Sequence, residues 1–294
     1  MMQSPSSILE APSHALIPAQ ASSDGEMIAL WLNGFRSPNT RSAYANDVRL
    51  FLLFIAAPLH SVTVRVIQAF AATLDGFAPA TAARRLSAIK SLIALAHRLG
   101  YLPFDVGAPI QLPVIKDQLA ERILSEWQVQ RMLELERGAR DGALLRLIYS
   151  AGLRVSEACG LLWRDLAERG EAGQITVLGK GGKTRVVLLP EPIWARISTL
   201  RGNAGPNGAV FRSRQGGSLN RSQVHRIVKS AAKRAKLSTA VSTHYLRHSH
   251  VSHALDRGAP IHVVRATVGH ASLETTTRYS HARPDDSSAR YLTA

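Results

Sequence analysis

Cysteine and long apolar runs are scarce in this sequence, and each scarcity excludes a class of protein. Cys159 is the only cysteine among 294 residues, which excludes an internal disulfide framework and cysteine-rich zinc sites and is typical of a reducing compartment. No run of about 18 apolar residues occurs, and the N-terminus lacks a basic segment followed by an apolar core. The sequence therefore predicts a soluble, cytoplasmic protein with no membrane partner.

Acidic residues are also missing from one long stretch, between Pro192 and Leu255. A solvated protein surface normally mixes charges of both signs, so a long one-sign stretch favours a bound polyanion. The whole chain agrees with this, because its formal net charge is +15 and its pI is about 10.8. Nucleic acid, and double-stranded DNA in particular, is the expected partner. The basic residues in the stretch are Arg196, Arg201, Arg212, Arg214, Arg221, Arg226, Lys229, Lys233, Arg234, Lys236 and Arg247.

Composition divides the chain into five segments. The first is rich in Ser, Pro and Ala without apolar periodicity, which is typical of a flexible arm. The second shows four stretches with helical apolar spacing and predicts a compact helical domain. The third is a proline-punctuated linker, and the fourth predicts a second domain. The segments are 1–23 (arm), 24–101 (helical domain), 102–120 (linker), 121–283 (second domain) and 284–294 (C-terminal tail).

The second domain combines helices with a β-hairpin. Apolar and β-branched runs at 174–178 and 185–189 flank a glycine-rich turn at 179–184, which is a hairpin signal. The turn carries Lys180 and Lys183, but it lacks the spacing and the following helix of a P-loop. The expected fold class is therefore mainly α with a small β-hairpin or sheet (α+β).

Basic residues on the predicted helices are candidates for contacts with DNA phosphates. Those in the first domain lie near helix starts or on polar faces. In the second domain, a helix predicted over 220–236 carries cations at spacings of three and four, so they share one face. The predicted DNA contacts are Arg41, Arg84, Arg85, Lys90, Lys183, Arg221, Arg226, Lys229 and Lys233.

The C-terminal part of the chain concentrates residues suited to chemistry on a phosphate. His244 and Arg247 are three apart, His270 follows a glycine, and Tyr279 comes nine positions later. Arginine and histidine can hold and protonate a phosphate, and tyrosine can attack it. His244 and His248 also stand four apart, as in some metal pairs. No acid lies nearby and His-Glu-x-x-His is absent, so no metal site is expected.

Five motifs in order resemble one family. They are Gly-Leu-Arg-x-x-Glu at 152–157, Gly-Lys-Gly-x-Lys at 179–183, His-x-x-Arg at 244–247, Val-Gly-His at 268–270, and Tyr279. Together they resemble the tyrosine recombinases, or phage integrases, and the bacterial Xer members most of all. The resemblance runs from about Asp24 to the C-terminus, with 24–101 similar to the family's core-binding domain and 121–283 to its catalytic domain. Val268 replaces the more usual leucine, and the basic arm-binding domain of some phage integrases is missing.

The resemblance implies a site-specific recombinase or integrase that cuts and rejoins DNA through a 3′-phosphotyrosyl intermediate. Tyr279 would attack the scissile phosphate. Arg154 and Arg247 would clamp its non-bridging oxygens, because the planar guanidinium fork matches phosphate. Lys180 would protonate the leaving 5′-oxygen.

The same resemblance implies the remaining parts of the site and its assembly. His244 and His270 would hydrogen-bond the phosphate and help to move the tyrosine proton, and Glu157 would orient the site. Neither a metal nor ATP, nor any other cofactor, is implied. Four protomers would act on two DNA sites, with or without a second recombinase, and the tail at 284–294 would pack against a neighbour.

Two other functions stay open at this point. A type IB topoisomerase shares the chemistry but only relaxes supercoils, and the Xer-like first domain and the hairpin disfavour it. The other alternative is a DNA-binding protein that has lost catalysis, which the complete set of motif residues disfavours. On its own, the pair Arg154 and Glu157 is also compatible with an ordinary helical ion pair.

Overall fold

The structure is a computed structural model that describes residues 20–116, 118–179, 182, 184–238, 240–270 and 272–280. The chain divides into two compact units, Met1–Lys116 and Asp117–Ala294. Each unit has a hydrophobic core of its own.

Four α-helices build the described part of the first unit, residues 20–116, as the apolar spacing predicts. The hydroxyls of Ser23 and Ser37 cap the first two by accepting hydrogen bonds from the backbone N–H groups of Glu26 (3.2 Å) and Thr40 (3.4 Å). Pro79 starts the fourth helix, where a missing N–H costs nothing. The helices are α1 (Asp24–Asn33), α2 (Pro38–Ile55), α3 (Val64–Ala72) and α4 (Pro79–Arg98).

Helix α4 organises the core of this unit by packing against α1 and α2. Its residues Leu86, Ile89 and Ile93 are almost fully buried and repeat at three and four positions. Met27 of α1 and Phe51 of α2 fill the space opposite them. This apolar stripe is what holds the four helices together.

Eight helices and a three-stranded sheet make up the described part of the second unit. Asn220 and Gln223 form a capping box at the start of the helix predicted over 220–236. In chain order the elements are α5 (Glu126–Glu134), α6 (Ala139–Ser150), α7 (Val155–Gly160), β1 (Leu166–Arg169), β2 (Ala172–Leu178), β3 (Thr184–Leu189), α8 (Glu191–Ser198), α9 (Arg221–Arg234), α10 (Thr243–Asp256), α11 (Ile261–Val268) and α12 (Leu273–Ser280).

The sheet is antiparallel in the order β1-β2-β3. Strands β2 and β3 are the predicted hairpin, with Val177 opposite Arg185, whereas β1 was not predicted. Its sequence, Leu-Ala-Glu-Arg, lacks the alternation that marks a half-buried strand. On β2, Gly173 lies against the indole of Trp194 in α8, and any β-carbon there would fall 2.1 Å from the ring. The sheet is therefore fixed to α8 by a contact that only glycine permits.

Helix α10 lies between the two apolar clusters of the second unit. Leu246 belongs to the larger cluster, which α5, α6, α9 and the sheet also line. Val251 and Leu255 belong to the smaller one, together with Val264 and Tyr279. A helix embedded on both sides is a rigid support for the side chains that it carries.

Among the residues that the structure describes, no helix is both long enough and apolar enough to cross a membrane.

Candidate active site

Four segments of the second unit bring the predicted site residues together. Helix α10 carries His244 and Arg247, and Arg154 is the N-cap of α7. His270 follows the glycine that ends α11, and Tyr279 lies in α12. These residues are up to 125 positions apart in sequence (279 − 154), and the fold places them around one point.

Tyr279 lies at the centre of this group and is only 3% exposed. Its hydroxyl oxygen is 2.5 Å from Nδ1 of His248. Its ring is nearly parallel to the ring of His270, with centroids 6.2 Å apart and an interplanar angle of 20°. His270 is held in turn by a 3.0 Å hydrogen bond between its Nδ1 and the Thr276 hydroxyl. The phenol is thus clamped between two imidazoles.

Arg247 is the most deeply buried cation of the site, with 4% of its surface exposed. Its guanidinium donates to the carbonyl oxygens of Gly152 and Val268, the latter at 2.6 Å. Burial, followed by the nearby charge of Arg154, lowers the pKa of Arg247 to about 10. The group remains charged at neutral pH, so the pocket holds a fixed positive charge that a phosphate can neutralise.

Arg154 stands at the rim of the pocket with 31% of its side chain exposed. Its guanidinium donates to Glu157 at 2.8 Å and to the carbonyl oxygen of Gly269 at 3.1 Å. Its backbone N–H donates to the other carboxylate oxygen of Glu157 at 2.8 Å. The side chain is therefore held in place while one face stays open to solvent.

Glu157 is shared between two arginines. Arg185 of β3 donates to its two carboxylate oxygens at 3.0 and 2.8 Å, opposite the contacts from Arg154. Burial opposes ionisation of this carboxyl group, but the hydrogen bonds from Arg185 and Arg154 outweigh it and lower the pKa of Glu157. The carboxylate is consequently ionised and fully bonded at neutral pH.

The histidines of the site are neutral at pH 7. Burial, and then the charges of neighbouring groups, lower the pKa of His248 and of His270 to about 4. Desolvation followed by Arg247 also lowers the pKa of His244. A neutral imidazole has one donating and one accepting nitrogen, so Nδ1 of His248 and the Tyr279 hydroxyl form their hydrogen bond without ionisation of the imidazole.

Two glycines shape the backbone around the arginines. Gly152 has φ 57° and Gly269 has φ 65°, which other residues rarely adopt. A β-carbon on Gly152 would lie 2.7 Å from Cγ1 of Val268 and 2.8 Å from Cδ2 of His250. The turn at Gly152 therefore allows α6 and α7 to approach α10 and α11 closely enough for Arg247 to reach the backbone.

The predicted residues Lys180 and Lys183 lie outside the described residues. Strands β2 and β3 run up to either side of them, ending at Leu178 and beginning at Thr184.

The predicted DNA contacts on α9 form one exposed surface. Arg221, Arg226, Lys229 and Lys233 are all exposed, and we call these four residues the basic face of α9. The opposite side of the helix is buried in the larger apolar cluster through Val224, Val228, Ala231 and Ala232. Arg226 also lines a groove of about 460 Å³ together with Arg140 and Arg214.

The predicted contacts in the first unit are engaged within the protein. Arg84 forms an ion pair with the fully buried Asp47, and the Arg85 Nε atom lies 3.8 Å from the same carboxylate. The Arg85 guanidinium also stacks over the ring of Phe77 at 4.3 Å. Lys90 donates to two backbone carbonyls, of which that of Ala108 lies at 3.1 Å.

Arg41, the remaining predicted contact of the first unit, is exposed. Its Nε atom donates to the carbonyl oxygen of Phe35 at 2.8 Å.

Two residues of the site were missed from sequence. His248 was considered only as half of a metal pair with His244, although the spacing of four places both on one side of α10. Arg185 was assigned only to a strand, and the signal for it was its position two residues after Lys183. Neither pattern predicts the hydrogen-bond partner. His248 bonds Tyr279, and Arg185 bonds Glu157.

Two protein-family models together match most of the chain. The family described as Phage integrase family matches residues 122–285, and the phage integrase N-terminal SAM-like domain matches residues 27–100. A tyrosine recombinase XerC of Pelobacter propionicus is 32% identical over 264 residues, which cover 85% of this chain and 86% of that protein.

Two solved structures share the fold. The XerH site-specific recombinase bound to difH substrate, in a pre-cleavage complex, matches with a TM-score of 0.70 at 20% identity, covering 92% of this chain and 84% of that chain. A lambda integrase tetramer bound to a Holliday junction matches with a TM-score of 0.73 at 16% identity, covering 87% of this chain and 75% of that chain.

Proposed function

The chain belongs to the phage integrase family and is a site-specific tyrosine recombinase, and from this premise we propose that Tyr279 cuts duplex DNA at paired recombination sites. The observation that carries the proposal is the position of its hydroxyl. It lies among two arginines and three histidines drawn from distant parts of the chain. Such a group has no evident purpose in packing, because burying the cation of Arg247 is costly unless an anion binds there.

The chemistry proposed is a pair of transesterifications. The Tyr279 hydroxyl loses its proton, which we propose His244 and His270 help to pass to solvent, and its oxygen attacks the scissile phosphorus. The bond from phosphorus to the 5′-oxygen breaks, and a 3′-phosphotyrosyl link forms. The leaving 5′-oxygen takes a proton, for which we propose Lys180 as the donor. Attack by another 5′-hydroxyl reverses the step and rejoins the strand. Bond energy is kept in the intermediate, so the cycle needs neither ATP nor an oxidant.

Arg154 and Arg247 are proposed to stabilise the transition state. Both guanidiniums are fixed by hydrogen bonds to backbone carbonyls of 152, 268 and 269 before any substrate arrives. Donors that are already oriented need no reorganisation when charge develops on the phosphate oxygens. His244 and His270 are proposed as further donors to the phosphate, with Glu157 orienting Arg154.

His248 is not proposed as the base that activates Tyr279. An ordinary tyrosine has a pKa near 10, whereas the pKa of His248 is about 4. Moving the proton from one to the other would therefore cost about 8 kcal/mol. We propose instead that His248 holds the tyrosine in a resting position. Since reacting atoms must approach to about 3 Å, Tyr279 has to leave its buried position before it attacks.

The basic face of α9 is the proposed main contact with the DNA backbone in the second unit. The first unit, which matches the SAM-like domain, is proposed to add contacts as the family's core-binding domain, with Arg41 the most accessible of its predicted contacts. A clamp made of 24–101 and 121–283, joined by the linker at 102–120, would bind the duplex from two sides.

A tetramer on two DNA sites is the proposed active assembly. The lambda integrase structure that shares this fold is a tetramer on a Holliday junction, and that supports the same arrangement here. The tail at 284–294 is proposed to pack against a neighbouring protomer, which is a second copy of this chain or a partner recombinase. The proposed location is the cytoplasm, in keeping with a chain that has only one cysteine, Cys159.

A suicide-substrate assay tests the proposal. Nicked duplexes that tile the DNA flanking the gene are mixed with the protein. After cleavage, the short fragment that carries the freed 5′-hydroxyl diffuses away from the nick, so that rejoining is prevented and the covalent adduct is trapped. A denaturing gel should show protein–DNA adducts for the wild type and for Tyr245→Phe, a control tyrosine in the same unit. Tyr279→Phe should show none.

The other outcomes separate the competing functions. Relaxation of a supercoiled plasmid that has no paired sites would favour the topoisomerase. Salt-sensitive DNA binding without any adduct, for every duplex tested, would indicate a protein that binds DNA but has lost catalysis.

A further inference from the structure

Arg185 of β3 connects the sheet to the centre of the site. We infer that Arg185 is a positioning residue of the recombination reaction. It shares the Glu157 carboxylate with Arg154 and hydrogen-bonds the end of α11. Through these contacts it sets the orientation of Arg154 and His270, which bind the phosphate. The inference rests on the proposed function and extends it to a residue that does not touch DNA. The contacts of its guanidinium carry the inference.

The guanidinium of Arg185 forms a bidentate salt bridge with the carboxylate of Glu157. Its two terminal nitrogens donate to the two carboxylate oxygens at 3.0 and 2.8 Å. Only 12% of the Arg185 side chain and 4% of the Glu157 side chain are exposed. Parallel paired bonds in a buried place fix both distance and angle, which a lysine could not do.

The third donor of the same guanidinium points elsewhere. Nε of Arg185 donates to the carbonyl oxygen of Thr267 at 2.7 Å. A β-carbon on Gly269 would lie 3.3 Å from Cδ of Arg185, so the chain passes close to the arginine immediately before His270. One side chain therefore fixes both the carboxylate beside Arg154 and the turn that presents His270.

Arg154 and Arg185 differ in what they can reach. Arg154 has 31% of its side chain exposed towards solvent, whereas Arg185 has 12%. Both donate to each oxygen of the Glu157 carboxylate, when the backbone N–H of Arg154 is counted. If Arg185 were removed, the whole negative charge of Glu157 would fall on Arg154 and compete with the phosphate for its donors.

Arg185 also anchors the strand that leaves the β2–β3 turn. It pairs with Val177 across the hairpin, and Thr184 pairs with Leu178. The predicted general acid Lys180 comes between the two strands in sequence, five residues before Arg185. The ion pair with Glu157 thus ties the start of β3 to the carboxylate that also bonds Arg154.

The test compares variants of this one contact. Arg185→Gln removes the charge, and Arg185→Lys keeps the charge but lacks the two parallel donors. Glu157→Gln removes the negative charge and replaces one accepting oxygen by a donating NH2 group. Arg169→Gln on β1 is the matched control, because Arg169 is an exposed arginine of the same sheet. For each protein, the rate constant of covalent adduct formation is measured at saturating nicked duplex, and the Kd for the duplex is measured separately.

We expect Arg185→Gln to slow cleavage by about 10²-fold, as small misplacements of reacting groups do, with a Kd close to that of the wild type. Removing one partner of a buried ion pair also lowers the thermal midpoint, so the rates are measured at a temperature at which every variant is folded. Arg185→Lys should stay slow, since charge alone does not restore the fork. The double variant Arg185→Gln with Glu157→Gln should be no slower than the slower single variant, because both act through one contact. Arg169→Gln should cleave at the wild-type rate.

Three results would overturn the inference. They are a wild-type cleavage rate in Arg185→Gln, full restoration by lysine, or a loss of cleavage that merely follows loss of folding or of DNA affinity. A wild type that forms no adduct would instead refute the proposed function. In that case amide hydrogen exchange decides the role of Arg185. Exchange should rise at Val155–Gly160 and at 267–270 in Arg185→Gln but not in Arg169→Gln, and unchanged exchange there would overturn the role.

Discussion

The hydroxyl of Tyr279 and Nδ1 of His248 are 2.5 Å apart, and this hydrogen bond holds the proposed nucleophile inside the protein. Tyr279 is 3% exposed, and the pKa of His248 lies at about 4 because burial and then His244 disfavour its charged form. The bond therefore exists between two neutral groups at pH 7. It belongs to the resting state of the site, and the stability of that state can be measured.

A double-mutant cycle measures this bond. His248→Phe removes the hydrogen-bond partner while keeping a ring, so the free energy of unfolding should fall by about 1 to 3 kcal/mol, the cost of depriving a buried hydroxyl of a partner. Tyr279→Phe should also destabilise. The double variant should lose less than the sum of the two, and urea denaturation gives all four values. Additive losses would mean that the hydrogen bond contributes nothing.

The buried histidines make stability depend on pH. The pKa values of His248, His250 and His270 are each lowered to about 4, in every case mainly by burial. The unfolded chain takes up protons near pH 6.5 while the folded chain does not, so this stability is fully present above pH 6.5. It is lost as the pH falls towards 4, by up to about 3 kcal/mol for each histidine.

Urea denaturation at pH 7.5, 6 and 5 checks this expectation. The free energy of unfolding should decrease at each step, and His250→Gln should reduce the slope between pH 6 and pH 5. A free energy of unfolding that stays constant from pH 7.5 to pH 5 would contradict it.

The basic face of α9 predicts how DNA affinity responds to salt. Lys229→Gln should reduce the slope of log K against log salt concentration by about 0.9, the value for one lost phosphate contact. Combining it with Arg226→Gln and Lys233→Gln should reduce the slope further. Arg169→Gln, which changes the net charge equally on β1, should leave the slope unchanged. Fluorescence anisotropy with a labelled duplex at several salt concentrations provides the measurement, and equal slopes for all variants would refute the assignment.

Gly152 and Gly170 provide a matched pair for the turn beneath Arg247. Both have positive φ, 57° and 61°, but a β-carbon meets Val268 at 2.7 Å only at Gly152. Gly170→Ala should cost about 1 kcal/mol for backbone strain. Gly152→Ala should cost roughly 2 to 5 kcal/mol, because overpacking adds to the strain. Chemical denaturation compares the two, and similar losses would show that the close contact carries no energy.

The helices were predictable because their signals are local. The helix expected over 220–236 is α9, Arg221–Arg234, with Asn220 as its cap. The start of α1 shows the limit of such signals. Ser23 caps this helix, whereas the carboxylate of the neighbouring Asp24 accepts hydrogen bonds from the Leu59 backbone and the Tyr101 hydroxyl. When two neighbouring residues can both cap a helix, contacts with residues distant in sequence decide which of them does so.

The motifs predicted which residues meet, but not how they are held. The spacing of His244 and His248 fixes a shared helix face, whereas the partner of His248 lies 31 positions away. Arg185 and Glu157 are 28 positions apart, and hydrophobic periodicity contains no information about such pairs. The same limit applies to Lys90, whose ammonium is turned to backbone carbonyls that the sequence does not reveal.

Helix α9 carries the proposed DNA contacts on its exposed side and contributes no residue to the group around Tyr279. Val224 and Val228 fasten the helix to the core, while Arg226 and Lys229 face outward on the other side. Every group that surrounds Tyr279 comes from other elements. Substitutions on the outward side therefore leave the reactive centre untouched, so the strength and salt dependence of DNA binding can change through a few exposed side chains while the geometry around Tyr279 stays constant.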